Sequence, residues 1–202
     1  MNRQYIISIS REYGSGGHDI GTFLAGTLGI PMYDKSLTDE IAQELDMDEE
    51  ELEKYDERAK NRILTRTVGE YSNAMEDVLE EKQVEFLRGK AESGESFVIV
   101  GRRGKEILSD FPGMISIFIT ADEDFKVKRI MAEIDADEET AKARRAHVDH
   151  QRKAYHNRHS DHDWGESRYY DLIINSSRLG VDGAAEELLH YIKARIAAMG
   201  AE

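Results

Sequence analysis

The sequence predicts an α/β fold: a parallel sheet of about five strands with helices on both faces. Three observations predict it. Short apolar segments alternate with longer amphipathic ones along the 202 residues, the order in which helices serve as crossovers between parallel strands. Phe97-Val98-Ile99-Val100 is a continuous apolar run, as a strand covered on both faces requires. A glycine-rich turn joins the first apolar segment to the first amphipathic one.

The first strand is read over Tyr5-Ile6-Ile7-Ser8-Ile9-Ser10. Arg11-Glu12-Tyr13-Gly14-Ser15-Gly16-Gly17-His18 forms the turn, and the helix after it carries Ile20, Phe23, Leu24 and Leu28 on one face. Gly29 sits where a helix C-terminus favours a left-handed residue, and a short second strand runs to Asp34. Residues 35–92 read as helical, polar and too long for a bare connection. Leu37, Ile41 and Leu45 mark one helix; Leu64, Val68, Tyr71, Met75, Val78, Leu79, Phe86 and Leu87 mark further ones. This region is expected to be a helical insert ending in the crossover back to the sheet.

Phe97 to Val100 makes the third strand, followed by Gly101-Arg102-Arg103-Gly104 and a short helix through Ile107 and Leu108. Ile115 to Ile119 makes the fourth strand. Asp122 is the expected cap of a helix bearing Phe125, Val127, Ile130 and Met131. Asp137 is expected to open another helix, running through Arg144, Arg145, Val148 and Arg152; residues 156–166 read as a loop. Tyr170 to Asn175 is the last strand, and the terminal helix carries Ala184, Leu188, Ile192 and Ile196.

The net charge is −14, which disfavours nucleic-acid polymers and anionic membranes as partners. The absence of cysteine removes disulfides, thiolate metal sites and a cysteine nucleophile. The N-terminus enters the first strand without a basic-then-apolar leader, and no apolar run reaches membrane-spanning length, so a cytoplasmic location is expected.

In parallel sheets ligands bind beyond the carboxyl ends of the strands. Gly14 to His18, Asp34, Gly101 to Arg103 and Ala121-Asp122 are all expected on that rim. Strand, glycine turn and helix make a phosphate cradle, because backbone N–H groups converge on an anion at a helix N-terminus. Gly14, Ser15, Gly16, Gly17 and His18 are therefore the expected phosphate-binding residues. The turn departs from the P-loop pattern G-x-x-x-x-G-K-[ST]. Arg11 replaces its first glycine, Gly17 its lysine and His18 its hydroxyl residue. Arg11 is the candidate for the missing cation. Asp34 and Asp149 are candidate bases or metal partners, or equally caps and ion-pair members. His147, His150, His156, His159 and His162 are of metal-ligand type, but their spacing fits no template and no metal site is assigned.

Ile7 to Gly17, Met32-Tyr33-Asp34, Val98-Ile99-Val100-Gly101-Arg102, Asp149 to Tyr155 and Tyr170 to Asn175, in that order, resemble the cytidylate kinase-like P-loop family, a variant branch of the nucleoside monophosphate kinases. The resemblance implies a P-loop kinase fold over residues 1–202, with a monophosphate-binding insert near 35–92 and an arginine-bearing lid near 132–165. It implies ATP and Mg2+ as cofactors and γ-phosphoryl transfer to a small acceptor such as a nucleoside monophosphate. It places Asp34 and Arg102 at the acceptor and makes Arg129, Arg152 and Arg158 lid or lid-hinge arginines; with Arg11 in place of the lysine, Arg11, Arg152 and Arg158 are the expected catalytic residues and Asp34, Arg102 and Arg129 the expected substrate-binding ones. Val100 and Arg103 stand where ordinary cytidylate kinases carry aspartates around Gly-Arg. The alternative reading is a nucleotide- or phosphate-binding protein that lost catalysis with the lysine. A homo-oligomer is compatible with either.

Overall fold

The computed structural model describes residues 4–34, 37, 71–101 and 103–199, with backbone alone for 71–80. Five parallel strands are present: β1 (Ile6–Arg11), β2 (Met32–Tyr33), β3 (Phe97–Val100), β4 (Met114–Thr120) and β5 (Leu172–Asn175). They lie in the order β2-β3-β1-β4-β5. β1 is central, with Ile9 opposite Val100 on one side and Ile117 on the other. The helices are α1 (Gly17–Leu28), α2 (Tyr71–Glu92), α3 (Gly104–Leu108), α4 (Glu123–Ile134), α5 (Glu138–His159) and α6 (Gly180–Met199), with a 3-10 turn at Ser176–Arg178 before the last.

The strand alternation sorts the core into two layers. Ile7 and Ile9 face the side covered by α1 and α6, where Ile117, Ile119, Leu24, Leu188 and Ile192 are buried with them. Ile6, Phe97 and Ile99 face the other side, against Tyr33, Leu37, Leu87 and Leu108. This is the both-faces-covered arrangement that a run such as Phe97 to Val100 requires. Gly29 ends α1 at φ 66°, its N–H bonded to the Ala25 carbonyl, as expected of a left-handed cap. Among the described residues no helix is long and apolar enough to cross a membrane.

Of the expected helical insert, α2 and Leu37 are described; Ile41, Leu45, Leu64 and Val68 lie outside the described residues. One expectation is corrected. Residues 156–159 are helical, since α5 runs unbroken from its Asp137 cap to His159. Its buried positions are Ala141, Asp149 and His156. These recur at helical spacing but are mostly polar, so an apolar pattern does not reveal the last turn.

Candidate active site

The turn between β1 and α1 is built around two left-handed glycines, Gly14 at φ 82° and Gly16 at φ 79°. A Cβ at Gly14 would lie 2.8 Å from the Lys126 carbonyl oxygen, and one at Gly16 would lie 2.6 Å from Val181 Cγ2. Conformation and space both demand glycine there. Ser15 is fully buried. Its hydroxyl donates to the Glu12 carbonyl at 2.8 Å, and its own carbonyl accepts from the Ser176 hydroxyl at 2.7 Å. Ser15 thus shapes the loop and offers no hydroxyl to a ligand. The first turn bond of α1 runs from Ile20 N–H to the Gly16 carbonyl. The N–H groups of Gly17, His18 and Asp19 precede it and have no acceptor within the helix. They form a helix mouth suited to an anion.

Arg11 ends β1 on the α1 side. Its stem runs along Gly17, where an added Cβ would come within 2.6 Å of Arg11 Cβ and 2.7 Å of Cγ. Its guanidinium lies against Gly101, where an added Cβ would be 2.3 Å from Nη1. The arginine therefore lies in a path that two glycines keep open. A lysine at position 17 would collide with it, so replacement of the first P-loop glycine and of the lysine go together sterically.

Asp34, at the end of β2, is 8% exposed, and its Oδ2 lies 3.1 Å from His18 Nδ1. The structure thus joins one expected acceptor-site residue to one expected cradle residue. Arg129, on α4, pairs with Asp19 in the first turn of α1 at 2.5 Å, beside the helix mouth. Arg158 is exposed on α5. Arg102 lies outside the described residues. Arg152 donates to the Arg11 carbonyl at 3.1 Å, and Asp149, one turn earlier on α5, accepts from Tyr13 N–H at 2.7 Å. Burial pushes the Asp149 carboxyl above the usual carboxylate range and the Arg152 guanidinium below its usual value.

Between α5 and the ends of β1 and β3 lies a cavity of about 360 Å³. Arg11, Arg103 and Arg152 line it, with Gly101 at the sheet rim, Tyr155 from α5 and Trp164 from the segment after α5. The Glu106 carboxylate also lines it, and is already engaged: His156 Nδ1 and the Tyr169 hydroxyl each lie 3.0 Å from its Oε1. Burial, then the Glu106 charge, pushes the Tyr169 hydroxyl up, so it remains a donor. Three guanidinium groups against one occupied carboxylate favour an anion, within a chain of net charge −14.

Several contacts and conformations of the site escape sequence reasoning. Glu12 accepts from the Thr120 hydroxyl at 2.7 Å and pairs with the buried Lys126 at 2.9 Å, more than a hundred residues away. No spacing rule links such partners. Arg103 has φ 55°, a left-handed backbone that Gly101-Arg102-Arg103-Gly104 does not announce. Trp164, the single tryptophan, sits edge-on to Phe118 at 5.3 Å between ring centres. Its place in the 156–166 segment was readable, its partner was not. Among the described residues no group of three or more His, Asp or Glu side chains is placed to hold a metal ion.

The chain is similar to an uncharacterized protein of Eubacterium ventriosum of known structure, at 39% identity over 94% of this chain and 99% of that one, with a TM-score of 0.74. It also resembles a shikimate kinase from Bacteroides thetaiotaomicron (15% identity, 94% and 98% coverage, TM-score 0.53) and a sugar kinase from Janibacter sp. (12%, 94% and 95%, 0.54). At those identities the likeness concerns the fold, which is that of the P-loop kinases. No curated protein matches the sequence. The sequence profile described as the cytidylate kinase-like family covers residues 6–178, and the chain belongs to that family.

Proposed function

We propose that this protein is a phosphotransferase that moves the γ-phosphoryl group of ATP to a small anionic acceptor of the nucleoside monophosphate type. One observation carries the reading. Arg11 occupies the path beside Gly17 and Gly101, which puts a permanent cation between the helix mouth and the arginine-lined cavity. Donor phosphates at the mouth and an acceptor in the cavity would meet at that guanidinium.

In this reading an acceptor phosphate oxygen attacks the γ-phosphorus, the bond to the bridging oxygen breaks, and ADP leaves. The chain contributes position and charge, which dominate phosphoryl transfer. The N–H groups of Gly17, His18 and Asp19 orient the donor phosphates. Arg11 meets the charge on the group in flight. Arg103 and Arg152 hold the acceptor anion, and Tyr155 and Trp164 offer aromatic faces to its planar part. Arg158 is exposed on α5.

Magnesium is the metal the family implies. At the position of the P-loop hydroxyl stands the His18 imidazole, bonded to Asp34. Imidazole is a poor ligand for Mg2+. The donor set does not fit the usual ion, and no step is routed through it.

A second reading, nucleotide binding without turnover, is favoured by that same imidazole together with Gly17 in place of lysine. Purified protein assayed with ATP and the common nucleoside monophosphates, with Mg2+ and with Mn2+, decides between them. Turnover with one acceptor supports the enzyme. Calorimetric binding of ATP with no turnover on any acceptor leaves the binding protein.

A further inference from the structure

The lid helix does more than cover the cavity. Asp149 and Arg152 lie three residues apart on α5, hence on one face, and both reach the backbone of the phosphate loop. Asp149 Oδ1 takes the Tyr13 N–H at 2.7 Å, and Arg152 Nη1 gives to the Arg11 carbonyl at 3.1 Å. The Arg152 guanidinium also stands 5.7 Å from the centre of the Tyr13 ring. Glu12, between those two residues, points the other way, to Thr120, Ala121 N–H and Lys126. Arg145 braces the arrangement, with one nitrogen 3.8 Å from Asp149 and another 2.9 Å from Glu123. The three residues leading into the glycines are thus gripped from both sides. Two of the grips come from the lid.

We propose that Asp149 and Arg152 are positioning residues for the phosphate loop: they fix the backbone on both sides of Glu12, aim the Arg11 side chain, and make lid attachment and anion binding one coupled equilibrium. The proposal rests on the phosphate-binding reading of the loop and deepens it. The groups involved are costly to keep. Asp149 is 8% exposed, and burial disfavours the charged form of both side chains. Packing alone would be served as well by apolar residues of similar size. Charge-assisted bonds to loop backbone make sense where the loop's shape is what matters. By linkage, an anion that needs this loop shape must in turn hold the lid in place.

The test compares wild type with Asp149→Ala, Asp149→Asn and Arg152→Gln by hydrogen–deuterium exchange and by calorimetry with ATP and with tripolyphosphate. Asp149→Asn keeps an acceptor oxygen for Tyr13 N–H. Without ligand, Asp149→Ala should speed exchange of residues 11–16 about tenfold while β3 and α6 stay unchanged, and Asp149→Asn should restore most of the protection. ATP and tripolyphosphate should each bind about tenfold more weakly to Asp149→Ala. Either ligand should protect residues 146–155 in wild type and much less in the variant. If Asp149→Ala does not fold, Arg152→Gln carries the same comparison at the other grip. Unchanged loop exchange in a folded variant overturns the proposal, as does ligand protection of α5 that survives in full in both Asp149→Ala and Arg152→Gln. If wild type binds no ATP, the proposed function fails, and the ligand-free exchange still decides whether the lid positions the loop.

Discussion

Substituting Gly101 by alanine tests whether the Arg11 path is real. The added methyl would lie 2.3 Å from Arg11 Nη1 and 3.2 Å from Cζ. The guanidinium must leave, since a methyl on backbone has nowhere to go. Gly101 also has φ 81°, so alanine there carries about 1–2 kcal/mol of left-handed strain whatever Arg11 does. In an Arg11→Ala background the guanidinium is gone and only that strain remains. For anion binding, Arg11→Ala should cost about 1.5–3 kcal/mol, the scale of a charge-assisted hydrogen bond, or roughly 10- to 150-fold in affinity. Gly101→Ala should cost nearly as much by displacing the same group. The double variant should bind like Arg11→Ala alone. Calorimetry with ATP on the four proteins, with urea unfolding alongside, completes the cycle. Multiplicative losses in the double variant, or unchanged affinity in Gly101→Ala, would refute the shared path.

Removing the His156 imidazole takes from the Glu106 carboxylate one of the two side chains that lie 3.0 Å from its Oε1; His156→Ala should destabilise the fold by about 1–3 kcal/mol, read as a lower urea midpoint. The Asp149 pKa is raised by burial, with the Glu12 charge adding to the rise and the Tyr13 N–H, Arg152 and Lys126 opposing it, so its charged form weighs against folding at neutral pH. Wild type should gain stability relative to Asp149→Asn as pH falls from 7 through the raised pKa towards the ordinary carboxylate range, in paired urea titrations at several pH values; a gap independent of pH would contradict the assigned cause. Trp164 borders the cavity and is the single tryptophan, so acceptor binding should change its fluorescence, and Trp164→Phe should abolish the signal while leaving the ligand's calorimetric affinity within about threefold.

Strands β1, β3 and β4 were legible because burial on both faces leaves a nearly unbroken apolar run. Two-residue β2 was legible only through its neighbours, the Gly29 stop and Asp34. The rim rule correctly brought the glycine turn, Asp34 and Gly101 to one edge of the sheet. What it could not supply was pairing along that edge. His18 meets Asp34 because α1 begins at the edge of the sheet where β2 ends, while Glu12 meets Lys126 across 114 residues. Helix α5 was readable at its Asp137 cap, whose side chain accepts from Thr140 N–H at 2.7 Å, and was lost near its end. There the inward face is carried by His156, and apolar periodicity has nothing to report.

The glycine turn sits near the start of the chain, yet little of what shapes it is nearby. Gly14 packs on Lys126 and Gly16 on Val181, while the Ser15 carbonyl takes its bond from Ser176. A ribosome that has delivered residues 1–170 has made the turn and its Lys126 wall but not Ser176 and Val181, which close it. The turn is then written long before it takes its final shape, because the closing contacts span more than 160 positions and long-range closure comes late. A nascent or truncated chain ending before Ser176 should carry the complete glycine motif and be unable to hold a phosphate with it.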